Sequence, residues 1–194
     1  MDESKLKETY SGLLDEIDIN WKRNNNLIGT PDRLVRSLKE KIMPICEIEE
    51  TCKSLLSVAF ESTYDGMVIV SPITAFSLCP HHLEIVEYVV HFGYISNKNT
   101  HVFGFSKIPR VVQLFAKQAI LQETFTKNLG DFIFESSGGL AEGLGLVVIG
   151  KHNCVSCRGV LNQNVRFTTS YLCGSFFNHP HVKQEFFTLC GLGK

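Results

Sequence analysis

The sequence has almost no net charge: 19 Lys and Arg stand against 20 Asp and Glu, a formal balance of -1. That excludes bulk attraction to nucleic acid or to an anionic membrane, so any phosphate ligand has to be held by local basic residues. No apolar run approaches the roughly 20 residues of a membrane-spanning helix. The first residues, Met1-Asp2-Glu3-Ser4-Lys5, lack the apolar stretch of a secretory signal. A soluble, cytoplasmic protein is the expectation, without nucleic-acid or membrane partners. There is no internal repeat, no low-complexity tract and no flexible linker. Composition is 44% hydrophobic and 20% charged, which argues against disorder, and 194 residues suffice for one domain with some extra material.

Cysteine is present in an odd number, seven. In a reducing compartment, clustered cysteines are better read as metal ligands and scattered ones as buried thiols than as disulfides. Cys46, Cys52, Cys173 and Cys190 are expected to be core thiols.

Residues 4–20 repeat apolar positions at helical spacing (Leu6, Tyr10, Leu13, Leu14, Ile17). Thr30-Pro31 predicts an N-cap followed by Pro at the first helical position, and a short amphipathic helix is predicted over 47–60. The pattern then changes. Met67 to Leu78 reads as a strand, and Ile85 to Ile95 as a second with period two. After a surface loop at 96–100, helical spacing returns from Ser106 (Ile108, Val111, Val112, Phe115, Ala119) and again near Gln122 (Phe125, Leu129, Phe132, Ile133). Leu144–Ile149 and Val160–Leu172 are further predicted strands, and Pro180–Leu189 a closing helix with Phe186, Phe187 and Cys190 buried. The order gives an α+β fold: an N-terminal helical region over 1–64, then a domain over 65–194 with a four-stranded antiparallel sheet and two helices on one face. A small sheet has two exposed edges, so oligomerisation is expected.

Two segments can carry chemistry. In Ser77-Leu-Cys-Pro-His-His-Leu83, Cys79 and His82 are three residues apart, so one short turn can aim both at a metal ion. In Lys151-His-Asn-Cys-Val-Ser-Cys-Arg-Gly159, Cys154 can close the site from another strand. Two thiolates and an imidazole suit zinc and leave a position open for water. Spacing alone equally permits a closed structural zinc, Cys79-x-x-His82 with Cys154-x-x-Cys157. If the second segment is a strand, His152 and Cys154 share a face.

Cys79-x-His81-His82, Gly104-Phe-Ser-Lys-Ile-x-Arg110, Leu121-Gln-Glu-x-x-Thr126 and His152-x-Cys154-x-x-x-Arg158-Gly159, in that order, resemble the GTP cyclohydrolase I family from about Thr30 onward. The resemblance implies the tunnelling fold, ββααββ, with subunit sheets closing into a barrel. It also implies a homodecamer of two pentamers with sites shared between subunits, and hydrolysis of GTP to 7,8-dihydroneopterin triphosphate and formate, the first step of pterin and tetrahydrofolate biosynthesis. By position it implies Cys79, His82 and Cys154 as zinc ligands and His81 with His152 as acid–base pair. Gln122 and Glu123 would read the guanine edge, Ser106 would touch the ribose region, and Lys107, Arg110 and Arg158 would hold the triphosphate. Cys157 falls where the family usually has no ligand, and Pro80 where it typically has Glu.

The residues suit that chemistry. Adding water at C8 of guanine needs an activated nucleophile, and zinc lowers the pKa of bound water to about 7. Histidine, with an ordinary pKa of about 6.5, suits proton transfer to ring nitrogens. A buried carboxylate at Glu123 would accept from guanine N1–H and the 2-amino group and reject adenine. The alternatives are a same-fold enzyme acting on another purine or pterin, or a non-catalytic zinc-stapled assembly protein. His91 is expected to be structural, and His101, His179 and His181 to lie at the surface.

Overall fold

The computed structural model describes residues 1–17, 20–97 and 101–193, which form two compact units, Met1–Met43 and Pro44–Lys194. In the first unit, α1 (Glu3–Glu16) is capped by Asp2, whose carboxylate accepts from Lys5 N at 3.1 Å, a standard N-cap. The helix predicted over 4–20 thus ends at Glu16, and residues 18–19 of that prediction lie outside the described residues. A 3-10 turn at Trp21–Arg23 precedes α2 (Thr30–Lys41). Thr30 is the first helical residue rather than the cap: Gly29 holds the N-cap position, and Thr30 Oγ1 accepts from Arg33 instead (2.8 Å). Leu14 and Val35 are the buried apolar residues of this unit, and Lys7–Asp32 (2.8 Å) and Lys39–Glu3 tie α1 to α2.

The second unit begins with α3 (Ile45–Leu56), which the sequence groups with residues 1–64. Its stripe of Ile48, Cys52 and Leu56 is buried, and it packs on α4 (Lys107–Phe115). Four long strands follow in an antiparallel sheet: β2 (Met67–Leu78), β3 (Ile85–Ser96), β5 (Ala141–His152) and β6 (Phe167–Gly174), neighbours in that order. Between β3 and β5 the chain forms β4 (His101–Phe103), α4 and α5 (Gln122–Ser136). β4 pairs with β1 (Ala59–Glu61) in a separate two-stranded sheet. The structure is α+β; its paired strands are antiparallel, and one isolated parallel bridge joins Leu78 to Ala119.

Alternation decides the two faces. Val86, Tyr88, Val90, Phe92 and Tyr94 of β3 are at most 1% exposed; Tyr88 of this row stacks on Phe125 of α5 (centroids 4.8 Å apart). On β2 the pairing slips between Val70/Phe92 and Ile73/Val90, a bulge of one residue at the cis Ser71–Pro72 peptide. One extra residue reverses parity. Val68 and Val70 share the face of β3's even row, and beyond the bulge Ile73, Ala75 and Ser77 do. The bulge therefore delivers Cys79 to the helix side.

The opposite face is covered at one end by α7 (Ser175–Asn178) and α8 (Pro180–Leu189). Val147, Phe176, Val182 and Phe186 form its core. Gly93 and Gly145 make room for it: a Cβ at either would fall 2.6 to 2.9 Å from the Phe176 or Phe186 rings. Towards the other end the face is open, with Phe76 and Val89 exposed. Strands β2 and β6 each pair on one side only.

Four local expectations change. The helix predicted over 47–60 spans Ile45–Leu56, and Ala59 and Phe60 belong to β1. The strand predicted over 160–172 starts at Phe167; Val160 and Leu161 are exposed, and Leu161 has φ 56°, a loop conformation. The strand predicted over 144–149 extends to Ala141–His152. Cys46 is exposed rather than a core thiol, because it lies on the outer face of α3; Cys52 is buried, and Cys173 and Cys190 are half-buried. His91 is buried and bonded through Nδ1 to Ser71 Oγ (2.6 Å), while His101, His179 and His181 are exposed. Residues 98–100 of the predicted surface loop lie outside the described residues. Among the described residues no helix is long and apolar enough to cross a membrane.

Candidate active site

The site lies where β2 ends, β5 ends and α5 begins. Leu78 O accepts from Ile120 N (3.1 Å) and Leu78 N donates to Gln118 O (3.1 Å), so the α4–α5 connection is pinned to the tip of β2. Cys79 N then donates to Glu84 O (2.8 Å) and Leu83 N to Cys79 O (2.8 Å), closing a turn that carries Pro80, His81 and His82 at its exposed tip. Leu83 takes φ 53° to close it. From the other side, β5 ends at His152 and a single helical turn, α6 (Asn153–Ser156), presents Cys154. His152 and Cys154 therefore meet at a strand-to-helix turn, not along one strand face.

Ligand atoms of Cys79, His152 and Cys154 all lie within 4.8 Å of one another. They line a pocket of about 440 Å³, together with His81, Glu123, Ile120, Arg166 and Phe167. Two thiols and an imidazole are a donor set that suits zinc and other borderline-soft ions. His81 Nδ1 is 3.6 Å from Cys79 Sγ. Burial pushes the Cys154 thiol pKa up, and hydrogen bonding and charge at Cys79 push it further. Burial lowers that of His152, against an opposing pull from Glu123.

The other expected residues are placed differently. His82 is exposed, and its Nε2 sits 3.0 Å from an Arg158 guanidinium nitrogen, not in the thiol–imidazole group. Because Arg158 can only donate, His82 Nε2 accepts there. Cys157 is exposed and its Sγ donates to Asn153 O (2.7 Å). Gln122 is 3% exposed, with its amide bonded to protein on both ends. Glu123 lines the pocket but is exposed rather than buried, because it lies on the outward side of the first turn of α5. Ser106, Lys107, Arg110 and Arg158 do not line this pocket. Ser106 and Lys107 stand at the far end of the nine-residue helix α4, about 13 Å from its pocket end at 1.5 Å per residue.

Arg166 and Phe167 line the pocket and were not singled out from the sequence. The Phe167 ring meets His152 edge to face at 5.1 Å. An aromatic residue opening a strand carries no signal of its own; only the β5–β6 register brings it over His152. Tyr88 is also near, its ring 6.5 Å from that of His152, and its buried hydroxyl has no hydrogen-bond partner among the described residues.

Fold and site together define an α+β protein in which two distant segments meet in a metal-competent thiol–imidazole pocket. The profile of the family described as GTP cyclohydrolase I matches residues 6–191. The chain is 35% identical to GTP cyclohydrolase 1 of Campylobacter lari over 193 residues, 99% of this chain and 97% of that one. It is also 35% identical to the Homo sapiens GTP cyclohydrolase 1 over 185 residues, 95% of this chain and 71% of that one. Among solved structures, the archaeosine synthase QueF-Like in its apo form overlaps 58% of this chain and 97% of its own, with a TM-score of 0.42 and 13% identity. The chain belongs to the GTP cyclohydrolase I family.

Proposed function

We propose that the chain is a zinc-dependent GTP cyclohydrolase I, converting GTP and water to 7,8-dihydroneopterin triphosphate and formate at the head of pterin and tetrahydrofolate synthesis. The observation that carries this reading is the convergence of Cys79, His152 and Cys154 in one pocket with Glu123, in a chain of this family. Cys79 and Cys154 hold the zinc, with His82 as third ligand after it leaves Arg158. Bound zinc supplies a nucleophile at neutral pH by lowering the pKa of its water to about 7.

The remaining work falls to side chains. Glu123 accepts from guanine N1–H and the 2-amino group. An adenine ring lacks that donor pair and would leave the carboxylate unmatched. His81 and His152, which line the same pocket, move protons to and from the ring nitrogens as the C–N bonds break. Ser106 meets the ribose region; Lys107, Arg110 and Arg158 hold phosphate oxygens, the arginines through forked donors.

The distance of α4's first turn from its own pocket supports a site completed by a neighbouring subunit. Each sheet has two unpaired edges, β2 and β6, and closing them against other protomers gives the barrel of the tunnelling fold. A decamer of two pentamers is the assembly proposed.

The test is incubation of zinc-loaded protein with GTP, followed by assay of formate and of fluorescent oxidised neopterin. Formation of both supports the reading. Absence of both with the zinc bound rejects it, and a zinc shell that includes Cys157 Sγ would favour a structural staple.

A further inference from the structure

We infer that Gln122 is a positioning residue for His152: its side-chain amide fixes which imidazole nitrogen faces the pocket, and it does not read the base. The inference rests on the proposed cyclohydrolase reading only for its kinetic consequences.

Hydrogen-bond chemistry settles how the amide is turned. One end of the Gln122 side chain lies 3.1 Å from Val148 O, 2.9 Å from Phe167 O and 3.2 Å from Thr169 Oγ1. Two of these are backbone carbonyls, which only accept, so this end is the NH2 group; the reverse orientation would set oxygen against oxygen. The threonines agree. Thr126 Oγ1 donates to Gln122 O (2.8 Å), so Thr169 supplies the hydrogen in the 2.6 Å contact between the two hydroxyls. Thr169 Oγ1 is thereby left to accept from Gln122. The amide oxygen Oε1 then lies 2.8 Å from His152 Nε2.

A carbonyl oxygen accepts only, so His152 carries a hydrogen on Nε2. A neutral ring protonated at Nε2 has its lone pair on Nδ1. Nδ1 is thus the nitrogen available to a metal ion or to a proton in flight, an arrangement in which a partner on one ring nitrogen sets the chemistry of the other.

Gly150 is part of the device. A Cβ there would fall 2.1 Å from Gln122 Oε1 and 3.2 Å from His152 Nε2. Only a residue without a side chain leaves the oxygen its place. The Gln122 NH2 group has no hydrogen left for a ligand, and its oxygen is turned to His152. Glu123, which lines the pocket with an exposed side chain, is left to recognise the base.

The experiment uses the full-length zinc-loaded protein, its Gln122→Met, Gly150→Ala and Glu123→Gln variants, and two substrates, GTP and ITP, which lacks the 2-amino group. Gln122→Met and Gly150→Ala are expected to lower kcat by about 10- to 100-fold, the range for partners that orient functional histidines. KM for GTP and the GTP/ITP preference should stay put. Glu123→Gln should erode that preference.

In parallel, nitrogen NMR of 15N-histidine-labelled protein is expected to show His152 protonated at Nε2 in the parent and without a fixed tautomer in both variants. Parent protein protonated at Nδ1 overturns the inference. So does a Gln122→Met enzyme that keeps kcat but loses its preference for GTP. Gly150→Ala replaces neither partner and acts only by displacing the Gln122 oxygen, so it decides the matter even if Gln122→Met, which unties β5 from β6, fails to fold. The tautomer measurement needs no turnover. A chain that leaves GTP untouched defeats the functional reading, while the labelled ring still decides this one.

Discussion

The two walls of the pocket are built differently. One wall, from β5, β6 and the first turn of α5, is bonded throughout: Gln122, Thr126, Thr169 and His152 form a closed set of hydrogen bonds beneath the Phe167 ring. The other wall is the turn after β2 with the loop after α6. There His81, His82, Cys157 and Arg158 are exposed, and one imidazole–guanidinium contact joins the two segments. The difference separates two tasks. The first wall is rigid because one chain satisfies it. The second carries the groups proposed to meet metal and phosphate, and it is left free to rearrange around them.

The largest effect should come from the residues on which both walls converge. Cys154→Ala removes a thiolate from the group of three, and Cys79→Ala does the same from the other wall. Loss of a Lewis acid worth several kcal/mol corresponds to a fall in GTP turnover of at least about 10²- to 10³-fold, at 1.4 kcal/mol per factor of ten. Zinc content, measured on the same samples, should fall with it. Chelation of the parent protein should reproduce the loss, and readdition of zinc should restore it.

Stability should divide the walls next. Thr169→Val removes the donor to the buried Thr126 hydroxyl and one of three acceptors around the Gln122 NH2, so it should cost about 1 kcal/mol in denaturant unfolding. Arg158→Ala, on the exposed wall, should stay within about 0.5 kcal/mol while raising KM for GTP. Equal stability losses from the two would show that the walls are not mechanically distinct.

Legibility from sequence follows the same line. Strands β2 and β3 and helices α4, α5 and α8 were readable because each is long and periodic, with its buried residues recurring at local spacing. The pair β1–β4 was not, since three residues have no period and their pairing is non-local. Val160 and Leu161 misled because two apolar side chains sit on an exposed loop. At the site, the Cys79 and Cys154 segments announced themselves by motif, and the structure brings them together. The engagement of Gln122 could not be seen, because its partners are backbone carbonyls of Val148 and Phe167, 26 and 45 residues away, and every residue has such a carbonyl. His82 could not be placed from spacing either, since a turn of four residues can aim it at metal or at Arg158.

Acid should loosen the buried, bonded parts before the exposed ones. His91 is 8% exposed, and burial holds its pKa below the ordinary 6.5. The unfolded chain therefore takes up the proton first. Between the unfolded value and the lower folded value the unfolded state binds more protons, so stability falls as pH drops below about 6.5 and levels off under the folded pKa. His91→Gln should remove part of that slope in melting temperature measured from pH 7 to 5.

The smallest effect is expected at Tyr88, which lies under both walls. Its ring is stacked on Phe125, and its hydroxyl is buried without a hydrogen-bond partner among the described residues, although Ser77 lies near. Ser77 Oγ donates to Gln118 O at 2.8 Å and keeps its lone pairs, but it stands outside hydrogen-bond geometry from the Tyr88 hydroxyl. Burial raises the phenol's pKa, against an opposing pull from the Ser77 hydroxyl and with smaller contributions from Cys79 and Glu123, so the group stays an O–H throughout the working range. A buried donor with no acceptor contributes a desolvation penalty and no compensating bond. Tyr88→Phe keeps the stacking and removes the penalty. The variant should be as stable as the parent or more stable by up to about 1 kcal/mol, read from denaturant midpoints at unchanged m-value. A clear loss of stability would mean that the hydroxyl has an acceptor in the assembled, metal-loaded protein, and that the floor beneath the two walls is part of the bonded one.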